Sequence, residues 1–191
     1  MALRKRHATG YTLIELMAVL AIASALLVVA IPMFRTQVQN SRMSAAATDL
    51  LSTFMSAKSE AVGRNNFVTV CISNKAPDPD DLACADISNV KWEDGWLSFV
   101  DVNADRVLNN DEDILQVHPP LSDGTTARAT GTLANSITYR PNGLTNLNGT
   151  QSLVICDARG FDESSRILTV SILGKVSILK VEESGVGTCL R

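Results

Sequence analysis

The chain has 191 residues, 46 % of them apolar, with 17 Lys+Arg against 20 Asp+Glu and a formal net charge of −3. That balance argues against a nucleic-acid-binding protein held by bulk charge, and the length fits one modest domain with a short additional segment. Beyond the first ten residues there is one histidine, His118, with no nucleophile elbow and no Gly-rich phosphate loop, which argues against an enzyme.

The chain opens on a basic leader, Arg4-Lys5-Arg6, that ends at Gly10. Residues 16–34 carry no charge, and Ser24 and Pro32 alone interrupt their apolar character. A helix over this run spans roughly 28 Å, close to the hydrocarbon thickness of a bilayer. Residues 11–34 therefore predict a single membrane-spanning helix. A secretory signal would carry a shorter apolar core closed by a small-residue cleavage site. Glu15 stands at the edge of the run, where a carboxylate either reaches the headgroups or requires a cationic partner, and the residues alone leave both open.

The basic leader, Gly10, Tyr11, Thr12-Leu13-Ile14-Glu15-Leu16 and the uncharged run together resemble the class III signal of type IV prepilins and type II secretion pseudopilins. The resemblance implies cleavage after Gly10 by a prepilin peptidase on the cytoplasmic face, then methylation of the new amino terminus at Tyr11, where most members have Phe. It also implies that Glu15 pairs with the free amine of a neighbouring subunit. The physics agrees, because an ammonium and a carboxylate satisfy each other in an apolar bundle. Loss of the three leader cations takes the net charge from −3 to −6.

After Phe34 the helical pattern continues. Val38, Arg42, residues 45–47, Leu50, Leu51, Phe54, Met55, Ala57, Ala61 and Val62 recur at three- and four-residue spacing, the mark of an amphipathic helix. Pro32 predicts a kink within it, and Gly63 a stop. One helix over residues 11–62 would be about 78 Å long, apolar in its first half and packed on a globular head in its second. The expected organisation is a leader over 1–10, a transmembrane or filament-core helix over 11–34 and a head over 35–191.

Short β-branched or aromatic runs follow at 67–72, 96–102, 114–118, 137–140, 153–156, 167–173 and 176–181. Gly174-Lys175 predicts a tight hairpin turn between the last two. The fold class expected is α+β, a long helix packed on a curved antiparallel sheet. Between Asp78 and Asp123 there are twelve acidic residues against Lys91 and Arg106, a composition that reads as a solvated loop surface.

The four cysteines, Cys71, Cys84, Cys156 and Cys189, lack a C-x-x-C spacing. With a basic leader held inside, the head faces an oxidising compartment where an even count favours disulfides. Of three possible pairings, Cys71–Cys84 and Cys156–Cys189 are favoured, one closing a Pro/Asp-rich loop and the other tying the tail to a core strand. Asp101, Asn103, Asp105, Asn109 and Glu112 stand at ligand positions of an EF-hand-like loop. Arg106 replaces its Gly, however, so an Asp/Asn-rich hairpin capping its own turns is the preferred reading, with calcium at these five residues the less favoured alternative and no other cofactor expected.

Trp92-Glu93-Asp94-Gly95-Trp96, the helix ending Ala57-Lys58-Ser59-Glu60-Ala61, and Cys156-Asp157-x-Arg159-Gly160 resemble the GspH/FimT family of pseudopilins and minor pilins. The resemblance implies the type IV pilin fold and a single-pass inner-membrane protein with a periplasmic head. Such a protein is incorporated into a pilus or pseudopilus beside other minor pilins, a major pilin or pseudopilins. The function it implies is that of a minor pilin priming or capping a type IV pilus. A GspH-like pseudopilin of a type II secretion system is the alternative. FimT proteins that serve DNA uptake carry Gly-Arg-x-Arg, where Gly174-Lys175-Val176-Ser177 keeps one cation, so DNA is disfavoured as a partner.

Overall fold

The structure, a computed structural model, describes residues 11–74, 81–122, 124–181 and Cys189. It contains one long helix, α1 (Leu13–Arg64), and eight strands: β1 (Val68–Ile72), β2 (Trp96–Val100), β3 (Ile114–His118), β4 (Thr126–Ala129), β5 (Ser136–Tyr139), β6 (Gln151–Cys156), β7 (Arg166–Val170) and β8 (Val176–Lys180). Helix α1 continues through Pro32. Two compact units divide between Gln39 and Asn40. The reason lies in burial, since Met43 is the first side chain of α1 to be enclosed.

Within the second unit Met43, Ala46, Ala47, Leu50, Thr53, Phe54, Ala57 and Ala61 form the buried face of α1 at three- and four-residue spacing. Ala45 lies outside this stripe, and Met55 and Val62 are more than half exposed. The helix ends in a Schellman motif: Asn66 N donates to Ala61 O at 3.1 Å and Asn65 N to Val62 O at 3.4 Å. The left-handed residue is Asn65, with φ 51°, so the expected stop at Gly63 is corrected by two residues. Asn tolerates that conformation through its short polar side chain.

The head holds two four-stranded antiparallel sheets, where one curved sheet was expected, with orders β3-β2-β1-β5 and β4-β6-β7-β8. Both contribute to a common core with α1. Val68, Val70 and Ile72 of β1, Ile137 and Tyr139 of β5, Leu153 and Ile155 of β6, and Leu168 and Val170 of β7 meet Leu50, Phe54, Trp92 and Trp96 there. Each fully buried Leu, Ile or Phe side chain in such a core contributes about 1.5–3 kcal/mol.

Residues of opposite parity on the same strands form smaller clusters. Cys71, Leu97 and Phe99 pack with Cys84, Leu82, Leu108 and Val117, whereas Val154, Cys156 and Ile167 pack with Phe161, Val181 and Cys189. The disulfides Cys71–Cys84 and Cys156–Cys189 lie one in each cluster. Each therefore ties a cysteine from outside the strands, Cys84 or Cys189, to apolar side chains that point away from α1.

The segment 92–96 joins the layers. Trp92 Nε1 donates to Leu133 O at 2.8 Å, and Trp96 Nε1 donates to Thr53 Oγ1 of α1 at 3.1 Å. Glu93 accepts from Arg128 Nε at 2.8 Å and Ala127 N at 3.0 Å, which secures β4. His118, at the end of edge strand β3, stacks on Trp96 with ring centroids 3.8 Å apart and approaches Asp49 of α1 at 3.5 Å.

The β7–β8 connection is longer than the two-residue turn expected at Gly174-Lys175. Gly174 N donates to Ser171 O at 2.9 Å, and Ser171 N donates to Lys175 O at 3.0 Å. Lys58 Nζ of α1 donates to Leu173 O at 2.9 Å and Gly174 O at 3.3 Å. Gly174 has φ +67°, and a Cβ there would come within 2.5 Å of the Gly143 carbonyl oxygen. Gly174→Ala is expected to cost about 2–3 kcal/mol, combining left-handed strain with displacement of a backbone neighbour. Thermal unfolding followed by near-ultraviolet circular dichroism checks this, and an unchanged midpoint would show that the hairpin is not clamped as described.

Candidate assembly site on the amino-terminal helix

Gly10 lies outside the described residues, and Tyr11 is almost fully exposed. Because α1 begins at Leu13, Thr12 occupies the cap position and Glu15 the third helical position. Thr12 N and Thr12 Oγ1 donate to Glu15 Oε2 at 2.9 and 3.0 Å, while Glu15 N donates to Thr12 Oγ1 at 3.3 Å. This reciprocal arrangement is a capping box, which satisfies backbone donors that the first turn would leave unpaired. Sequence reasoning assigned Glu15 an intermolecular partner and missed the local one. The available signal was Thr-x-x-Glu ahead of an apolar run. Glu15 Oε1 makes no bond among the described residues, so one oxygen stays open to a cation from outside the chain.

Beyond Glu15 the side chains of Leu16, Met17, Val19, Leu20, Ile22, Leu26, Leu27, Val28, Val29, Ile31, Met33 and Phe34 are all at least half exposed. Ser24 Oγ and Thr36 Oγ1 turn back onto the carbonyls of Ala21 and Pro32 at 2.9 and 3.2 Å, which hides their polarity within the helix. The helix is long and apolar enough to cross a membrane, and none of its most apolar window is buried by the chain itself.

In the head, the Cys156-Asp157-x-Arg159-Gly160 segment forms a tight turn closed by Gly160 N donating to Asp157 O at 3.0 Å. Arg159 grips Asp157 with two nitrogens, Nε at 2.9 Å and Nη2 at 2.6 Å from Oδ2. This hydrogen bonding holds the Asp157 carboxyl below the usual carboxylate range.

The Asp/Asn-rich loop uses its acids on its own backbone. Buried Asp101 accepts from Thr69 Oγ1 at 2.7 Å and from the N–H groups of Asp105 and Arg106 at 3.1 Å each. Glu112 accepts from Val102 N and Asn109 N at 2.9 Å each. Asp105 accepts from Val107 N at 2.7 Å, the main cause of its lowered pKa, and from the Asn103 and Asn109 amides. These five residues share one loop, and their carboxylates act as turn caps. Among the described residues no group of three or more His, Cys, Asp or Glu is placed to hold a metal. Lys175 is exposed on the hairpin, and the leader, residues 75–80 and all of the 182–191 tail but Cys189 lie outside the described residues.

A long apolar amino-terminal helix, continuing into a stripe that packs on antiparallel sheets, defines a protein with the type IV pilin fold. A family model described as type II transport protein GspH matches residues 46–174, and a prokaryotic N-terminal methylation motif matches residues 5–31. The chain belongs to the GspH family of pilin-like structural proteins. No curated protein matches it. Among solved structures it is similar to the type IV minor pilin FimU of Pseudomonas aeruginosa strain PAO1, in crystals of space group P21. The two share 19 % identity over 74 % of this chain and 90 % of that one, with a TM-score of 0.54. The P65 crystal form of FimU gives 20 % identity, 71 % and 91 % coverage and a TM-score of 0.52. At these identities the likeness is one of fold.

The Asp157–Arg159 fork gives a pH-dependent prediction. A carboxyl depressed in the folded state contributes stability above its unfolded pKa, about 3.9, and that stability is lost as pH falls through the folded value. Arg159→Ala is expected to cost about 1 kcal/mol at pH 7, with the gap to wild type closing below about pH 4. Urea melts at several pH values measure it, and a gap independent of pH would contradict the pairing.

Proposed function

We propose that this protein is a minor pilin, inserted in the inner membrane by residues 11–34 with its head in the periplasm. A prepilin peptidase cuts after Gly10, and the new terminus at Tyr11 is methylated. The observation that carries the reading is the uncovered apolar helix with a single acid at its start, held by a cap that leaves one oxygen open. Such a surface asks for lipid before assembly and for other apolar helices after it.

Assembly then exchanges one apolar surrounding for another. Glu15 meets the amino terminus of an adjacent subunit, and each charge relieves the other's desolvation. The fold likeness to a minor pilin supports a place among other minor pilins that prime or cap a type IV pilus. The reading requires no cofactor and no reaction by this chain. A pseudopilin of a type II secretion system is the second reading, favoured by the description of the matching family as a type II transport protein. DNA capture is disfavoured because Gly174-Lys175-Val176-Ser177 offers one cation where two phosphate contacts would need two.

Glu15→Ala is expected to leave membrane insertion intact while lowering recovery in sheared filaments at least tenfold, equivalent to about 1.4 kcal/mol of assembly free energy. Immunoblots of membrane and filament fractions from the native host measure both. Wild-type recovery in filaments would refute the pairing.

A further inference from the structure

A cavity of about 290 Å³ opens in the head, lined by Phe67, Ala104, Arg106, Thr138, Arg140 and Asn146. Its position follows from strand register. Val68 of β1 lies between Val100 of β2 and Tyr139 of β5, so Phe67, Asp101 and Arg140 share one end of that sheet. Asp101 N donates to Phe67 O at 3.0 Å and fastens the 101–113 loop over this end.

Among the described residues the polar lining is one-sided, with Arg106, Arg140, Asn146 and Thr138 but no acidic residue. Neither arginine side chain has an ion pair or hydrogen bond among the described residues. The buried Asp101 carboxylate turns its oxygens to Thr69 Oγ1 and the Asp105 and Arg106 N–H groups, and neither guanidinium hydrogen-bonds to it. Two like charges at one small cavity repel, and a bound anion would relieve that repulsion.

A further observation points the same way. Asn146 Oδ1 accepts from Thr138 N at 3.0 Å, which fixes the orientation of the amide. Its Nδ2 is thereby left buried without a partner, and a buried donor of this kind costs about 1–3 kcal/mol until it is satisfied.

We propose that this cavity binds a carboxylate borne on a short carbon stem. The carboxylate lies between Arg106 and Arg140 with the Asn146 amide as a further donor, and Phe67 and Ala104 cover the stem. A carboxylate with a stem engages both halves of the lining, whereas inorganic phosphate would use the donors alone. The volume is at the low end for ligand pockets, about 300–1,000 Å³, and suits a few carbon atoms. Such a group arises either as a free small dicarboxylate or as an acidic side chain of a neighbouring subunit.

The test uses the full chain in detergent micelles, with arginine Nε–Hε resonances recorded during titration with sodium glutarate at constant ionic strength. Saturable shifts of Arg106 and Arg140, unmatched by sodium chloride, are expected. The double variant R106Q/R140Q should weaken binding at least tenfold. Asn146→Asp, which retains the acceptor for Thr138 N and supplies an internal carboxylate, should weaken it similarly while leaving the melting temperature intact.

Equal responses to glutarate and chloride, unaltered binding by both variants, or tighter binding of inorganic phosphate than of glutarate would each overturn the proposal. In the host, loss of R106Q/R140Q from filaments would assign the carboxylate to a neighbouring subunit, and undiminished incorporation to a free ligand. Binding in micelles does not depend on assembly, so its failure is distinguishable from failure of the minor-pilin reading.

Discussion

The constraint on which the rest depends is the apolar surface of residues 16–34, which the chain builds and does not cover. Burying one large aliphatic or aromatic side chain is worth about 1.5–3 kcal/mol, so a dozen of them outweigh the 5–15 kcal/mol that holds a typical domain folded. Water is therefore not a stable surrounding for this helix. Lipid and a bundle of similar helices both are, and movement between them need not cost much, because each replaces one apolar contact with another. The capping box fits this requirement. It satisfies first-turn donors locally while leaving one carboxylate oxygen unengaged among the described residues.

The head meets the opposite problem, which is to hold two sheets against one narrow helical stripe. Alanines at 46, 47, 57 and 61 bring the helix close, and Leu50 and Phe54 fill the space between them. The 92–96 segment connects all three layers through two indole N–H donors and one carboxylate. The disulfides act at a different level, since they hold Cys84 and Cys189 on the faces of the sheets that α1 does not reach. The resulting head is fixed from both sides.

Most of the architecture was legible in the sequence because it depends on period and composition. The uncharged run, the 3.6-residue stripe and seven of the eight strands all follow from side-chain spacing. Strand β4 was not legible. Thr126-Ala127-Arg128-Ala129 has little intrinsic strand preference and is held by Glu93, a contact thirty-odd residues away in sequence. The division into two sheets was likewise hidden, since alternation shows which faces are buried but not which strands pair. The helix stop was misplaced because Gly63 is the commoner signal, whereas two carbonyls at Ala61 and Val62 select Asn65. The cavity at Arg106 and Arg140 was invisible for the same reason as β4, because residues from three segments meet there only through strand register.

The most direct test of the central claim, that the apolar helix is processed and then buried among other subunits, is mass spectrometry of filaments sheared from the native host. The account predicts a peptide from this chain that begins at Tyr11 and carries an N-methyl group, recovered with the filament fraction. A chain found only in membranes, or one in filaments that still begins at Met1, would contradict it.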